Sequence, residues 1–448
     1  MPPTTHPDAF HFDRPAASFW EASAEPPGVD TGPLEGDASC DVAIVGAGYT
    51  GLTAALRLRL AHGADVRVLE AADVGWGASG RNGGFCCMGG IKLDWTRVIA
   101  RFGLDEARAA FAVQGEAVDT VRALCADHGI DAAISGDGEL ALAHKPSRMA
   151  GLAADRAFLK TTFGHETELL SVAELEARGT AGPGFHGGLL NPKGFGVHPL
   201  AYVRGLARAA ACNAARIHAR SQVTGWERSA AGHRLITAKG SVTARHVLFA
   251  TNGYTPEGLA EPLRGRLMPV LSNILVTRPL TEAERAAQGW TAPTMAFDTR
   301  RLLHYFRLLP DGRFLFGGRG GTDGSDGAAT AMERQLRAEF AALFPAWAHV
   351  EHEYFWRGLA CLSYGLVPFV GALDEARSVW AACAYHGNGV SMASWSGQAV
   401  ADLIAGTARE ADLPALVTAA PRPFPLPALR GAYLKGAYLW YGVKDAWL

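Results

Sequence analysis

Residues 41–71 read DVAIVGAGYTGLTAALRLRLAHGADVRVLEA, and this stretch decides the fold class. Residues 41–45 are an apolar, β-branched run of the kind a buried parallel strand requires. Gly46, Gly48 and Gly51 follow at G-x-G-x-x-G spacing. The first glycine permits a tight turn, the second lets backbone approach a pyrophosphate, and the third lets the helix pack closely on the strand. Leu52, Ala55, Leu56 and Leu60 then recur at helical spacing, with Arg57 and Arg59 outside, and Gly63 is a natural helix stop. ADVRVLE makes a second strand, and Glu70 ends it where an acid can hold ribose hydroxyls. The order strand, glycine turn, helix, strand and acid predicts a dinucleotide-binding βαβ unit. Whether the dinucleotide is NAD or FAD stays open on this stretch alone.

Bulk properties narrow the class. The chain has 448 residues, 48% of them hydrophobic, and a formal net charge of -2, which leaves room for more than one domain. It carries no basic block or basic–aromatic stripe of the kind that binds nucleic acid. The start, MPPTTHPDAFHFDRPAASFW, has neither the basic nor the apolar region of a secretory signal, and no apolar run is long enough to span a bilayer. The cysteines are Cys40, Cys86, Cys87, Cys125, Cys212, Cys361 and Cys383, an odd number with no Cys-x-x-Cys. Neither a disulfide framework nor a metal site is expected, and a reducing cytoplasm is the expected location.

The next stretch bears on the cofactor. Residues 74–85, VGWGASGRNGGF, form a second glycine-rich loop directly after the acid. An NAD domain would run on into another crossover helix here. A glycine-rich loop instead offers backbone amides with little bulk beside a large flat ligand. Ser79, Arg81 and Asn82 can donate to phosphate or ring oxygens. The bland alternative is a mobile surface loop. Further on, HGNGVSMASWSGQAVADLIAG places Gly387 and Gly389 ahead of a buried helix ending at Gly406. The free N–H groups at its start carry partial positive charge. An ordinary core helix with a glycine-rich start is the alternative.

These segments together resemble the D-amino acid oxidase (DAO) superfamily of FAD enzymes, which includes glycine oxidase, sarcosine oxidase and γ-glutamylputrescine oxidoreductase. The GASGRNGG form is most similar to the last of these. HVLFATNGYTPEGLAEPLRGRLMPV (246–270), DTRRLLHYFRLLPDGRFLFGGR (298–319), WRGLACLSYGLVPFVG (356–371) and VWAACAYHGNGVSMASWSGQAVADLIAG (379–406) carry the resemblance onward, in order. It implies an α/β fold, with a Rossmann-like FAD-binding domain interleaved with an α+β substrate domain built on an antiparallel sheet. The FAD domain would comprise 40–100, 190–255 and 355–408, the substrate domain 101–189 and 256–354, and a C-terminal tail 409–448.

The resemblance also assigns residues. Non-covalent FAD would contact Gly46, Ala47, Gly48, Tyr49, Thr50 and Gly51, then Glu70 and Ala71. The second loop would add Gly77, Ala78, Ser79, Arg81, Asn82, Gly83 and Gly84. Val223 would meet the adenine, and Ala250, Thr251, Asn252, Gly253, Gly387, Asn388, Gly389 and Val390 the flavin. His304, Trp356 and Tyr364 would line the substrate pocket, with Tyr305, Arg307 and His386 as catalytic candidates. Each has a plainer reading: core aromatic, salt-bridge arginine or capping histidine. One departure matters. The slot that holds the carboxylate-clamping arginine of glycine oxidase holds Ala360, which favours an amine whose carboxylate is distant or absent. Cys361 lies near, but offset from, the flavin-linking cysteine of some sarcosine oxidases, and reads as a buried inert thiol.

The implied activity is oxidation of the C–N bond of a γ-glutamylputrescine-like or N-alkyl amine to an imine and then an aldehyde, with oxygen reduced to hydrogen peroxide. Alternatives are a glycine, sarcosine or D-amino acid oxidase, a dehydrogenase passing electrons to another acceptor, and a flavin-binding subunit without turnover. The expected partners are a small amine and oxygen, with no nucleic acid and no membrane span. Oligomeric state stays open.

Overall fold

The computed structural model describes residues 6–230 and 232–447. The opening motif folds as read. Gly36–Val45 is a strand, Tyr49–His62 a helix and Val66–Leu69 the next strand, and Gly63 closes the helix at φ 63°. Gly36–Val45 pairs in parallel with Gly240–Phe249 on one side and Val66–Leu69 on the other. Val379–Cys383 and Arg216–His218 extend this parallel core in opposite directions. Phe369–Ala372 and the hairpin of Gly225–Ser229 and Gly232–Ile236 complete an eight-stranded sheet. Tyr49–His62 is buried on nearly every side rather than on one stripe, because it is packed between Gly389–Ala405 and Pro199–Cys212.

A second eight-stranded sheet runs in the order His352–Ser363, Leu267–Thr277, Phe314–Arg319, His304–Leu308, Met295–Asp298, Glu139–Leu142, Gly188–Asn191, Glu168–Leu170. A hairpin around Pro310–Gly312 is its centre, with His304–Leu308 antiparallel to Phe314–Arg319. All its pairs are antiparallel except Met295–Asp298 with Glu139–Leu142. Alternation along the strands splits it into two faces. Phe306, Phe314 and Phe316 join Trp290, Phe340, Phe344 and Trp347 in an aromatic core under the helix Asp326–Leu343. Tyr305, Leu315, Gly317 and Arg319 have the opposite parity.

The sheets do not follow the sequence boundaries. His352–Ser363 and Gly188–Asn191 lie in the second sheet, although residues from 355 and from 190 had been read with the FAD segments. The helix Leu104–Asp127, read with the substrate segments, buries Val113, Ala117, Val121 and Leu124 in the core beside the fingerprint helix. Long strands and helices run from one body into the other, and composition alone does not register the crossing. Among the described residues no helix is long and apolar enough to cross a membrane.

Candidate active site

The parallel strands end on a cavity of about 610 Å³ that continues under the second sheet. At its nucleotide end the glycine spacing has a direct steric cause. A Cβ on Gly51 would lie 2.0 Å from the Gly46 carbonyl oxygen, and one on Gly48 would lie 2.8 Å from Ser79 Oγ. Gly46 itself takes φ 106°. The helix starts at Gly48 without a side-chain cap, and the Tyr49 N–H donates to Ser79 Oγ at 3.0 Å. Glu70 accepts from the N–H of Ala47 (2.7 Å) and of Ala72 (3.1 Å), while burial pushes its carboxyl up. A bare helix start, a glycine cradle and an acid at the strand end suit the pyrophosphate and ribose of a dinucleotide.

The second loop is nailed down from behind. Four successive carbonyls each receive a donor: Arg81 from Trp356 Nε1 (2.9 Å), Asn82 from Trp20 Nε1 (2.9 Å), Gly83 from Arg307 Nε (3.0 Å) and Gly84 from the Val197 N–H (2.8 Å). The surface-loop alternative therefore fails. The same geometry corrects two expectations. Trp356 and Arg307 do not line the cavity; they hold the loop that does. Arg307 is buried, and burial lowers its pKa to about 9. No ion pair holds it among the described residues, and its Nη2 donates to the Val197 carbonyl.

At the other end, Gly389–Ala405 starts in the cavity at Asn388, again without a side-chain cap. The approach to it is strained at Ala384 and His386, which take φ of 64° and 53°, while Gly387 follows at 97° without that cost. Asn252 secures this turn by accepting the Ala384 N–H at 2.8 Å. His386 lines the cavity, but both ring nitrogens are committed. Its Nδ1 lies 2.8 Å from the Gly90 carbonyl and so carries the proton, and its Nε2 accepts the Ser363 N–H at 3.1 Å. Burial drops its pKa to about 3. His386, a catalytic candidate in the sequence, is thus held as a neutral ring with both nitrogens engaged by backbone groups.

Of the other residues read as cofactor contacts, Tyr49, Thr50, Ala71, Gly77, Ala78, Arg81, Asn82, Val223, Ala250, Thr251, Asn252, Gly389 and Val390 line the cavity. Ala47, Gly51, Gly84 and Gly253 stand behind its wall. Tyr305 lines the substrate half, with its hydroxyl 2.8 Å from Ser272 Oγ, and burial pushes the phenol up to about 12. Tyr364 is half-exposed, packs on Phe424, and is not in the wall.

His304 faces away from Tyr305, as strand alternation requires. Its Nδ1 meets Asp298 at 2.8 Å and its Nε2 meets Glu339 at 3.1 Å. Burial opposes the charged ring, but both carboxylates outweigh it and push the pKa up to about 9. Its ordinary value is 6.5, so this stabilisation is complete below about pH 6.5 and is lost as pH rises through 9. Thermal unfolding should show a loss on the order of 2 kcal/mol across that window, which His304→Gln should flatten. An unchanged profile in the variant would refute the ion-pair account.

Sequence reading missed several lining residues. Lys92 Nζ donates to Asn388 Oδ1 at 3.0 Å, and Asn388 Nδ2 reaches Cys87 Sγ at 3.2 Å. Glu139 stands beside Cys87; burial raises its carboxyl against the lowering effect of that thiol and of Lys92. Glu70 and Glu139 are the two carboxylates of the wall, at its nucleotide and substrate ends. Arg301 and Arg319 complete the charged set with Arg81 and Lys92. The supposed tail supplies a wall as well: from the helix Arg430–Trp447, residues Tyr433, Leu434, Ala437, Tyr438 and Tyr441 line the cavity. Arg430 pins its start to the Leu267 carbonyl and Glu257, and Asp445 pins its end by accepting the N–H of Arg301 and Leu302, each at 2.9 Å. Cys361 also lines the cavity, and burial pushes its thiol well up.

Comparison with known proteins agrees with this architecture. The family model described as DAO, FAD dependent oxidoreductase, matches residues 41–403. The gamma-glutamylputrescine oxidoreductase of Escherichia coli (strain K12) is 32% identical over 84% of this chain and 85% of its own length. The probable oxidoreductase OrdL of Rhizobium meliloti (strain 1021) is 29% identical over 92% of this chain and 94% of its own. The crystal structure of glycine oxidase from Geobacillus kaustophilus superposes with a TM-score of 0.66 at 23% identity, covering 82% of this chain and 95% of that one.

Proposed function

Since the chain belongs to the DAO family of FAD-dependent oxidoreductases, we propose that it oxidises the C–N bond of an amine to an imine and passes the electrons to oxygen. At the coarser level it is an FAD-dependent enzyme acting on amines or amino acids. The finer reading rests on one observation: the cavity that fits the dinucleotide opens without a break into a second compartment holding a carboxylate, Glu139, and aromatic walls. FAD, when bound, supplies the two-electron redox step. The protein's residues bind, orient and deprotonate the amine.

Glu139 is the group we assign to the substrate nitrogen. Its buried carboxyl has a raised affinity for a proton, so it can accept one from an ammonium ion and leave the neutral amine that oxidation requires. Neighbouring Lys92 disfavours a second positive charge on the amine but also lowers the proton affinity of Glu139, so burial is what makes the carboxyl the acceptor. Tyr305, kept protonated, orients as a hydrogen-bond donor or acceptor through Ser272. The neutral amine loses two electrons and two protons to become an imine, the electrons and one proton leaving together as a hydride equivalent, and water then releases the aldehyde and the free amine. The second sheet would house the substrate and the parallel sheet the cofactor. We infer non-covalent FAD, because burial keeps the Cys361 thiol protonated.

The test is anaerobic mixing of the yellow protein with γ-glutamylputrescine, putrescine, N-methyl amino acids, glycine and D-amino acids. Bleaching by one class, followed by peroxide formation on admitting air, is the expected result. Acid precipitation of the same preparation should release the flavin into the supernatant. Bound FAD that no amine bleaches would overturn the amine reading, and slow reoxidation in air would replace oxygen with another acceptor.

A further inference from the structure

Residues 7–23 lie ahead of the stretch matched by the family model, yet they reach the cavity wall. Their inner part is fixed. Ser18 caps the short helix Phe19–Ser23, buried Trp20 donates from Nε1 to the Asn82 carbonyl, and Glu21 accepts from Arg204 Nη2 at 2.8 Å. The outer part crosses the glycine-rich loop to the second body. The Arg14 carbonyl accepts from Trp76 Nε1 at 2.6 Å, the Arg14 guanidinium meets Asp326 at 3.3 Å, and Asp8 accepts the Asp326 N–H at 3.1 Å. Between the two parts Ala17 takes φ 49°, a left-handed conformation that alanine resists.

Phe12 is the residue this crossing delivers to the cavity. Its ring lies 4.9 Å from that of Trp76, edge to face, and Phe10 packs in the same way on Tyr254 at 6.1 Å. Trp76 and Tyr254 meet at 5.6 Å and line the cavity with Phe12. Gly77, Ala78 and Ser79 follow Trp76 directly, and Ser79 Oγ accepts the Tyr49 N–H at the start of the fingerprint helix. Phe12 therefore closes the nucleotide end of the cavity, away from Glu139. What holds the outer part is exposed: the Arg14 and Asp326 side chains are 60% and 76% accessible, and an ion pair in water adds little. These contacts can break while Trp20 stays in place.

We propose that residues 7–16 form a strap that retains FAD: Phe12 closes the nucleotide end, and the cofactor leaves only when the strap lifts about Ala17. Bound FAD covers apolar surface that Phe12 otherwise shows to water, so cofactor and strap hold each other in place. The strap slows release more than it slows binding, because FAD itself completes the seat on which Phe12 rests. This inference needs the FAD of the family and not the amine reading above.

The test needs no substrate. FAD leaving the loaded protein is followed by the recovery of flavin fluorescence on dilution. Deleting residues 1–16 keeps Ser18 and Trp20 and should speed release by at least about tenfold. Phe12→Ala should speed it by about fivefold to tenfold, and Phe12→Leu should restore part of the retention. Arg14→Ala is the sharper variant. Arg14 and Asp326 lie outside the cavity wall, so a rise of about twofold to threefold reaches FAD only through the strap. The unfolding temperature of the flavin-free protein should hardly move in Phe12→Ala and Arg14→Ala, while that of the loaded protein falls. Release at the wild-type rate in the deletion and in Phe12→Ala overturns the strap. So does a Phe12→Ala protein destabilised equally with and without flavin, which would make Phe12 a packing residue only. Failure of the amine reading would leave all these rates untouched.

Discussion

Gly397→Ala is expected to purify largely without flavin and to lose about 3 kcal/mol of stability. A methyl group there would sit 1.9 Å from Thr53 Oγ1 and 2.4 Å from the Thr50 carbonyl oxygen. Neither neighbour can step aside cheaply. The Thr50 oxygen is main chain inside a helix, and Thr53 Oγ1 is held by donating to the Tyr49 carbonyl at 2.7 Å. The two helices must therefore separate. They are the same two whose uncapped starts, at Gly48 and Asn388, face the cavity at the pyrophosphate and flavin ends. One added carbon would disturb both ends of the cofactor site together. The ratio of flavin to protein absorbance and the unfolding temperature report the effect. Gly436→Ala is the control: nothing lies within 4 Å of its Cβ position, and helix propensity predicts a gain of up to about 1 kcal/mol. A flavin-loaded, fully stable Gly397→Ala protein would mean that the helix contact does not govern cofactor binding.

Removing residues 431–448 should leave FAD bound but lower kcat/KM for the best amine by about 100-fold. The deletion spares Arg430, so Glu257 and the Leu267 carbonyl keep their partner. It takes away Tyr433, Tyr438 and Tyr441, which form one wall of the substrate compartment and none of the nucleotide end. Water would then reach the amine, and the substrate would lose the surface that fixes its pose. Asp445→Asn is the milder version, weakening the grip on the Arg301 and Leu302 amides. Flavin content and the rate of anaerobic reduction separate the two effects. Reduction as fast as in the full-length chain would show that the helix is no wall at all.

The cofactor half of the site was legible because its determinants are local. Gly46, Gly48, Gly51 and Glu70 act within one βαβ unit, and their spacing is their mechanism. The substrate half was read poorly for a physical reason. His304, Tyr305 and Arg307 are neighbours on one strand, but alternation sends His304 to the outer core. Arg307, on the same face as Tyr305, lies two residues further along and ends under the Gly83 carbonyl. Residue type alone does not separate these fates. Glu139, Arg319 and Tyr438 come from three distant segments, and what marks them is the lack of a protein partner or the burial of a charge. Those properties exist only after folding. The interleaving was read in outline, but where long strands cross from one body to the other is a matter of pairing, not composition.

The deep placement of the cysteines bears on how long the catalyst lasts. If oxygen is the acceptor, each turnover releases peroxide into the cavity whose wall includes Cys87 and Cys361. Peroxide attacks thiolates, and burial keeps these two sulfurs, with Cys86 and Cys383 behind them, in the unreactive thiol form. Cys212 is the one cysteine exposed to bulk solvent among the described residues, at the end of the helix Pro199–Cys212. Self-inflicted oxidation would therefore begin at the periphery, and the reacting centre would age last.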